Sequence, residues 1–149
     1  MPLVRVQTED FNTDAVINDL TKDRKDIGAI VSFIGLVRDL PDQSLQSMTL
    51  EHYPAMTEKA LNGIVDTAMQ RWDINDVAVI HRVGELKPAD RIVLVVTLSA
   101  HRKDAFLAAE YIIDYLKTRA PFWKKETTSD GEHWIEAKTS DDDATSRWD

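Results

Sequence analysis

The chain has 149 residues, 43% hydrophobic and 30% charged, which suits one domain-sized core and excludes a disordered or fibrous composition. It contains no cysteine, so disulfides, thiolate nucleophiles and cysteine-ligated zinc are excluded, in keeping with a reducing compartment. A net charge of −8 argues against nonspecific nucleic-acid binding. No apolar run approaches the ~20 residues that span a bilayer, and MPLVRVQTED lacks a secretory core, so the expected location is the cytoplasm, with no membrane or nucleic-acid partner.

In chain order, a first strand is expected over 2–7. Val16, Ile17 and Leu20 after Thr13 predict a helix over 13–22. Residues 27–37 predict a strand, and the apolar run IGAIVSFI over 27–34 predicts that it is buried. Gly35 marks a bulge or a close backbone approach. A strand over 46–53 leads through Pro54 into a helix over 55–72, whose stripe is Met56, Ala60, Ile64, Ala68 and Trp72. Strands over 76–84 and 90–99 follow, and RIVLVVTL over 91–98 reads as the buried centre of a sheet. A helix over 102–118 is expected after Ser99, a candidate cap, and before Pro121, with Phe106, Ala109, Ile113 and Leu116 facing the core. Strands over 121–126 and 133–138 flank Asp130 and Gly131, a hairpin signal. Residues 139–149 read as an acidic frayed tail beyond a single domain over 1–138. The order is not strict βαβ alternation, so the fold class is α+β with a mixed or mainly antiparallel sheet and about three helices.

Positive charge gathers in 101–126, where six Lys/Arg face four Asp/Glu; this segment stands at +2 and the rest of the chain at −10. His101 and Arg102 open the last helix, where backbone N–H groups favour anions; the alternative is a capping turn with both side chains in water. Lys117 and Arg119 suit the helix C-terminus on dipole grounds alone. The aromatic pair Phe122 and Trp123 between cations is not explained that way. A lysine held against apolar surface can serve as acid, base or nucleophile. On the strand FWKKE, Phe122 and Lys124 share one face, Trp123 and Lys125 the other, so only one of the two lysines serves a given site. His101 and Lys117 are 16 residues apart, roughly 24 Å along a helix, too far to hold one small ligand. Two functional helix ends therefore need two sites, or one site completed by a second subunit. Arg38 follows a strand end and is either a ligand-binding cation or a solvated loop residue. Glu51 and His52 are weaker candidates, His81 and His133 read as structural, and the scattered histidines give no metal motif. Signatures for nucleotide loops and serine hydrolases are absent.

Five segments taken together, GAIVSFIGLVRD, LEHYPAMTEKAL, VIHRVGELKPAD, SAHRKDAF and DYLKTRAPFWKKE, resemble the large (catalytic) subunit of molybdopterin synthase, over about residues 27–138. The resemblance implies an α/β-hammerhead-type fold and a homodimer. It also implies a heterotetramer with two copies of a small ubiquitin-like sulfur carrier, whose C-terminal Gly-Gly thiocarboxylate enters a pocket. The implied reaction is a sulfurtransferase step: two sulfurs pass to cyclic pyranopterin monophosphate and form the dithiolene of molybdopterin, with no cofactor and no metal. By position, Lys117 and Lys124 match the family's active-site lysines. Leu36, Val37, Arg38, His101, Arg102, Lys125 and Glu126 fall with its substrate-binding stretches. Phe33, Ile113 and Lys138 fall at pocket positions. The family's His-Arg pair comes from the neighbouring subunit. Leu36 stands where relatives often have lysine, and Ile113 where some have methionine. The competing readings are a non-catalytic dimeric module for a phosphate ligand and a scaffold for a ubiquitin-like partner.

Overall fold

In the computed structural model, which describes residues 2–135 and 139–148, the run read as most buried becomes β6 (Arg91–Ser99), an interior strand of the first sheet. Its neighbours are β4 (Asp76–Arg82) on one side and β2 (Ala29–Leu36) on the other, with β1 (Leu3–Gln7) beyond β4. The β1–β4 pair is parallel and the other two pairs are antiparallel, so the sheet is mixed. Cover on both faces explains why the middles of β4 (Val77–Ile80) and β6 (Ile92–Val96) are continuous apolar runs. Val77, Val79, Val93 and Val95 face α2 (Pro54–Arg71) and α3 (Arg102–Arg119), while Ala78, Ile80, Leu94, Val96 and Leu98 face Phe11 and α1 (Thr13–Thr21).

The second sheet has the order β5 (Gly84–Leu86), β3 (Leu45–His52), β7 (Phe122–Thr128), β8 (Gly131–Ile135), and all its pairs are antiparallel. Val37, Leu45, Leu50, Val83 and Leu86 form the core beneath it. The β7–β8 hairpin turns at Asp130 and Gly131, and Gly131 takes the left-handed φ of +117° that favours glycine. The α+β class, the mixed sheet and the first three helices agree with expectation, and the short β5 is additional.

Several local expectations are corrected. The apolar run of β2 is a sheet edge rather than a buried strand: Ile30, Phe33, Ile34 and Leu36 are exposed. Phe106 is also exposed, and α3 instead buries Ala105, Ala108, Ala109, Tyr111, Ile112 and Leu116. In α2 the buried residues are Thr57, Leu61, Ile64, Val65 and Ala68. A strict four-residue repeat drifts ~40° per step, so Met56 rotates out to solvent. Asn12 rather than Thr13 caps α1, its side chain accepting from Ala15 N at 3.0 Å. His101 occupies the N-cap position of α3 without a side-chain cap bond, while Ser99 Oγ donates to Asp73 O at 2.7 Å.

The expected frayed tail contains α4 (Thr139–Ser146). The cause lies just beyond the acidic run. Trp148 stacks edge-on against Trp72 and Tyr111 and donates to Asp114 Oδ2 at 2.7 Å, and Arg147 Nη2 bridges Asp114 at 2.7 Å and Glu110 at 2.8 Å.

Two glycines differ sharply in what a side chain would meet. Gly28 donates to Ser99 O at 3.0 Å, and a Cβ there would run into the Ala100 carbonyl oxygen. Gly63, on α2, has open space around it. Gly28→Ala should lower the urea midpoint, with a loss of roughly 1–3 kcal/mol, whereas Gly63→Ala should raise it by ~0.5–1 kcal/mol.

Candidate active site

Pro121 ends α3, and a short link through Ala120 turns the chain into β7; Phe122 N donates to Ala120 O at 2.9 Å. This reversal brings the end of the helix and the start of the strand together. Lys117 from the last turn of α3 and Lys124 from β7 line one slot, a cavity of about 70 Å³. Gly35, Leu36, Ile92, Val93 and Phe122 form its apolar walls. Lys117 is exposed at the mouth and Lys124 is half-buried. The β2 bulge at Gly35 and Leu36 shapes one wall, and a Cβ on Gly35 would come within 2.8 Å of Val93 Cγ1.

The alternation expected for FWKKE is observed. Phe122 and Lys124 face the slot. Trp123 stacks edge-on against Tyr53 at 4.5 Å and, with Glu51, His52 and Trp134, lines a separate open hollow. Lys125 pairs with Glu132 at 3.5 Å and lies over the Trp134 ring. Glu126 is two residues past Lys124, between Met48 and His133 in register, and is not among the slot residues.

Further along the seam between β2 and α3, Phe33 and Ile113 line a broader open groove of about 480 Å³ with Phe106, Glu110 and Arg147. Arg38 is exposed on the loop after β2. Val37 is placed in the core rather than at a ligand surface: it is buried, and its N–H and C=O bond to Asp90 O and Ala89 N. Lys138 lies outside the described residues. His101 and Arg102 are exposed at the start of α3, and the helix runs unbroken between them and Lys117. One chain therefore collects Leu36, Lys117 and Lys124 at one end and leaves His101 and Arg102 roughly 24 Å away.

The slot also contains a residue that the sequence reading set aside as structural. His81 lines it, at the end of β4. Its ring stacks on Phe122 with centroids 3.9 Å apart and planes 18° apart. The signal was parity: His81 follows Val77 and Val79 on the strand face that packs toward α3. Its Nδ1 lies 2.8 Å from Arg82 O. A carbonyl only accepts, so Nδ1 carries the hydrogen. Burial lowers the His81 pKa from 6.5 to about 4; the bond to Arg82 opposes that shift, and the charges of Lys124, Lys117 and His52 add to it. Among the described residues, no cluster of three or more His, Asp or Glu is placed to hold a metal ion. No helix among them is long and apolar enough to cross a membrane.

The layout is that of an α+β protein with amines at one end of a long helix and an imidazole–guanidinium pair at the other. Residues 6–119 match the model of the family described as MoaE protein, and the chain belongs to that family. It is 57% identical over 149 residues to the molybdopterin synthase catalytic subunit of Ralstonia nicotianae, covering 99% of this chain and 85% of that one. It is 55% identical to the protein of the same name from Haemophilus influenzae, covering 97% of each. Among solved structures, the molybdopterin biosynthesis MoaE protein from Burkholderia ambifaria superposes with a TM-score of 0.86 at 52% identity, covering 99% of this chain and 98% of that one.

The buried, neutral His81 ties stability to pH. In the unfolded chain it protonates near 6.5, in the folded chain only near 4. Its contribution is complete above about pH 6.5 and is lost as the pH falls toward 4, a total of roughly 3 kcal/mol. Urea midpoints measured between pH 7 and 4 should show this decline, and His81→Phe should flatten it.

Proposed function

We propose that this chain is the sulfur-transferring subunit that completes molybdopterin, acting in the cytoplasm on cyclic pyranopterin monophosphate. The observation that carries the reading is the convergence of Lys117 and Lys124 on one narrow slot. A cavity of about 70 Å³ holds a few water-sized groups, too little for a phosphorylated pterin. It suits the end of an extended peptide without side chains, as a Gly-Gly tail is. The relatives' name, catalytic subunit, points to a further subunit that supplies that tail.

In this reading the carrier's thiocarboxylate enters the slot as an anion among ammonium groups. Its sulfur forms a C–S bond to a side-chain carbon of the pterin as a C–O bond at that carbon breaks, the oxygen leaving on the opened phosphate in one transfer and as water in the other, with a proton supplied to each departing oxygen. The carrier's acyl carbon is then held in a thioester, and water cleaves it, releasing the carrier carboxylate and leaving the thiolate on the substrate. A second carrier repeats the step. Lys117 at the mouth is the principal acid and base, and Lys124 orients the substrate and offsets developing negative charge. Arg38, His101 and Arg102 supply forked and charged donors for the phosphate. Leu36 contributes apolar wall, and Lys125 and Glu126 support the strand that presents Lys124.

A homodimer solves the distance problem. The exposed apolar residues Ile30, Phe33 and Phe106 form an edge suited to a second copy. Phe106 lies about one turn from Arg102, so the His101–Arg102 pair borders that edge. A symmetric partner could bring its own pair to the first chain's lysines. A module that only binds phosphate would use His101 and Arg102 and leave the lysine slot without a task.

The deciding experiment is reconstitution with thiocarboxylated carrier and cyclic pyranopterin monophosphate, with dithiolene product as the readout. Lys117→Ala should lose at least ~100-fold in rate, and Lys117→Arg, which keeps charge but does not release its proton, should stay similarly impaired. Near wild-type turnover by Lys117→Arg would remove the proton-transfer role. Mixing Lys117→Ala chains with Arg102→Ala chains should restore part of the activity, because some mixed dimers hold one intact composite site. Phe106→Asp should shift the protein toward monomer in sedimentation experiments and lose activity with the lysine slot intact.

A further inference from the structure

We propose that two copies of this chain join edge to edge through β2, antiparallel across a two-fold axis normal to the first sheet, so that one sheet of eight strands runs through the dimer and each lysine slot receives the partner's His101 and Arg102. The delivery of that pair deepens the sulfur-transfer reading and rests on it; the pairing of the edges does not.

The edge itself is the first observation. The two sheets have four edge strands, β1, β2, β5 and β8. Arg5 lies in β1, Glu85 in β5 and Glu132 in β8, whereas AIVSFIGL of β2 has neither a charge nor a proline. Charges and prolines keep an open strand from pairing with another chain, and the longest of the four edges lacks both. Its Ile30, Phe33, Ile34 and Leu36 are exposed.

Direction is the second. Just before β2, Gly28 N donates to Ser99 O at 3.0 Å, and Ala29 pairs with Ser99, so the strand starts beside the turn that carries His101 and Arg102. It ends at Gly35 and Leu36 in the wall of the slot. β2 and α3 therefore run the same way, from the His101–Arg102 end to the lysine end. An antiparallel copy reverses that order, and the start of each β2 lies beside the end of the other.

The third is the outer stripe of α3. Arg102, Phe106, Glu110, Ile113 and Lys117 recur at steps of four, four, three and four, which sets them on one face of the helix. The helix packs over both β6 and β2. With strands ~4.8 Å apart, a helix over both lies ~5 Å from an axis just outside β2, and two such helices stand ~10 Å apart, a helix-packing distance. Phe33, Phe106 and Ile113, which line the open groove between β2 and α3, are then covered by their counterparts. Glu110 comes near the axis, where its charge is already met by Arg147 at 2.8 Å. Lys117 faces the partner's Arg102 across the seam.

The pleat limits the register. Directly opposed residues of an antiparallel pair share a face, so the axis passes beside a residue and not between two; the middle of Ala29–Leu36 offers Ser32 or Phe33. Ile30 meets the partner's Ile34 in the first register and the partner's Leu36 in the second.

The chain has no cysteine, so one introduced thiol reports one contact. A residue at the axis lies ~5 Å from its own copy, within reach of a disulfide, while Ile30 lies at least ~14 Å from its copy in either register. Mild oxidation should convert most of either Ser32→Cys or Phe33→Cys to covalent dimer, and Ile30→Cys should give none. No covalent dimer at either central position, or an equal yield from Ile30→Cys, overturns the proposal. Ser32→Lys, which sets two ammonium groups near the axis, should weaken the dimer at least tenfold in sedimentation equilibrium while keeping the circular dichroism of the folded chain. A folded Ser32→Lys that dimerises like wild type, or a monomeric wild type, overturns it. In reconstitution the oxidised dimer should still form dithiolene; an inactive cross-linked dimer beside active wild type overturns the delivery of His101 and Arg102. Should wild-type protein yield no dithiolene although the central cross-links form, the sulfur-transfer reading fails by itself and the pairing stands.

Discussion

The close seat of α3 on the first sheet is the constraint from which the rest follows. Alanines at 105, 108 and 109 let the helix approach, and the Thr97 hydroxyl donates to Ala105 O at 2.7 Å inside that contact. The helix is thereby a continuous spacer that keeps its two ends apart. Amines sit at one end of this spacer and the His101–Arg102 pair at the other. No side-chain rotation within one chain brings them together. Symmetry in an oligomer is the economical remedy, and the apolar edge of β2 beside Phe106 is where the surface invites it.

At the lysine end the two sheets cooperate. The first contributes β4, with His81, together with the bulged end of β2 and the adjoining part of β6; the second contributes Phe122 and Lys124 from β7. Phe122 joins them, forming a wall of the slot while stacking on His81. The site is assembled across a packing boundary, so its shape depends on the core of Val37, Leu45, Leu50, Val83 and Leu86 that anchors the second sheet. Val37 lies in a stretch that resembles a substrate-binding segment, yet its side chain serves this anchoring core.

Much of this was legible in the residues. The order of the main elements, the hairpin at Asp130 and Gly131 and the opposite faces taken by Lys124 and Lys125 all follow from periodicity and turn chemistry. Hydrophobicity alone misled at β2 and Phe106, because an apolar side chain reports that something covers it, not whether the cover is its own chain. Composition misled at the acidic end. The net charge of TSDDDATSRWD hides Arg147 and Trp148, which find Asp114 and an aromatic pocket only once α2 and α3 have packed. His81 was overlooked because its partners are a neighbouring carbonyl and a ring some forty residues downstream, and neither shows as a local motif.

The alternation along β7 makes the lysine slot vulnerable to a shift of frame in space. Lys124 and Lys125 are chemically identical neighbours, separated in role only by which side of the pleat each occupies. Sliding β7 by a single residue against β3 would leave composition, charge and sheet intact, yet it would exchange the two amines and turn Trp123 inward where Phe122 now stacks. The pairing of Leu50 with Lys124 and His52 with Phe122 therefore acts as an indexing device, and an insertion or deletion in the adjoining connection is more dangerous here than most point substitutions on the same strand.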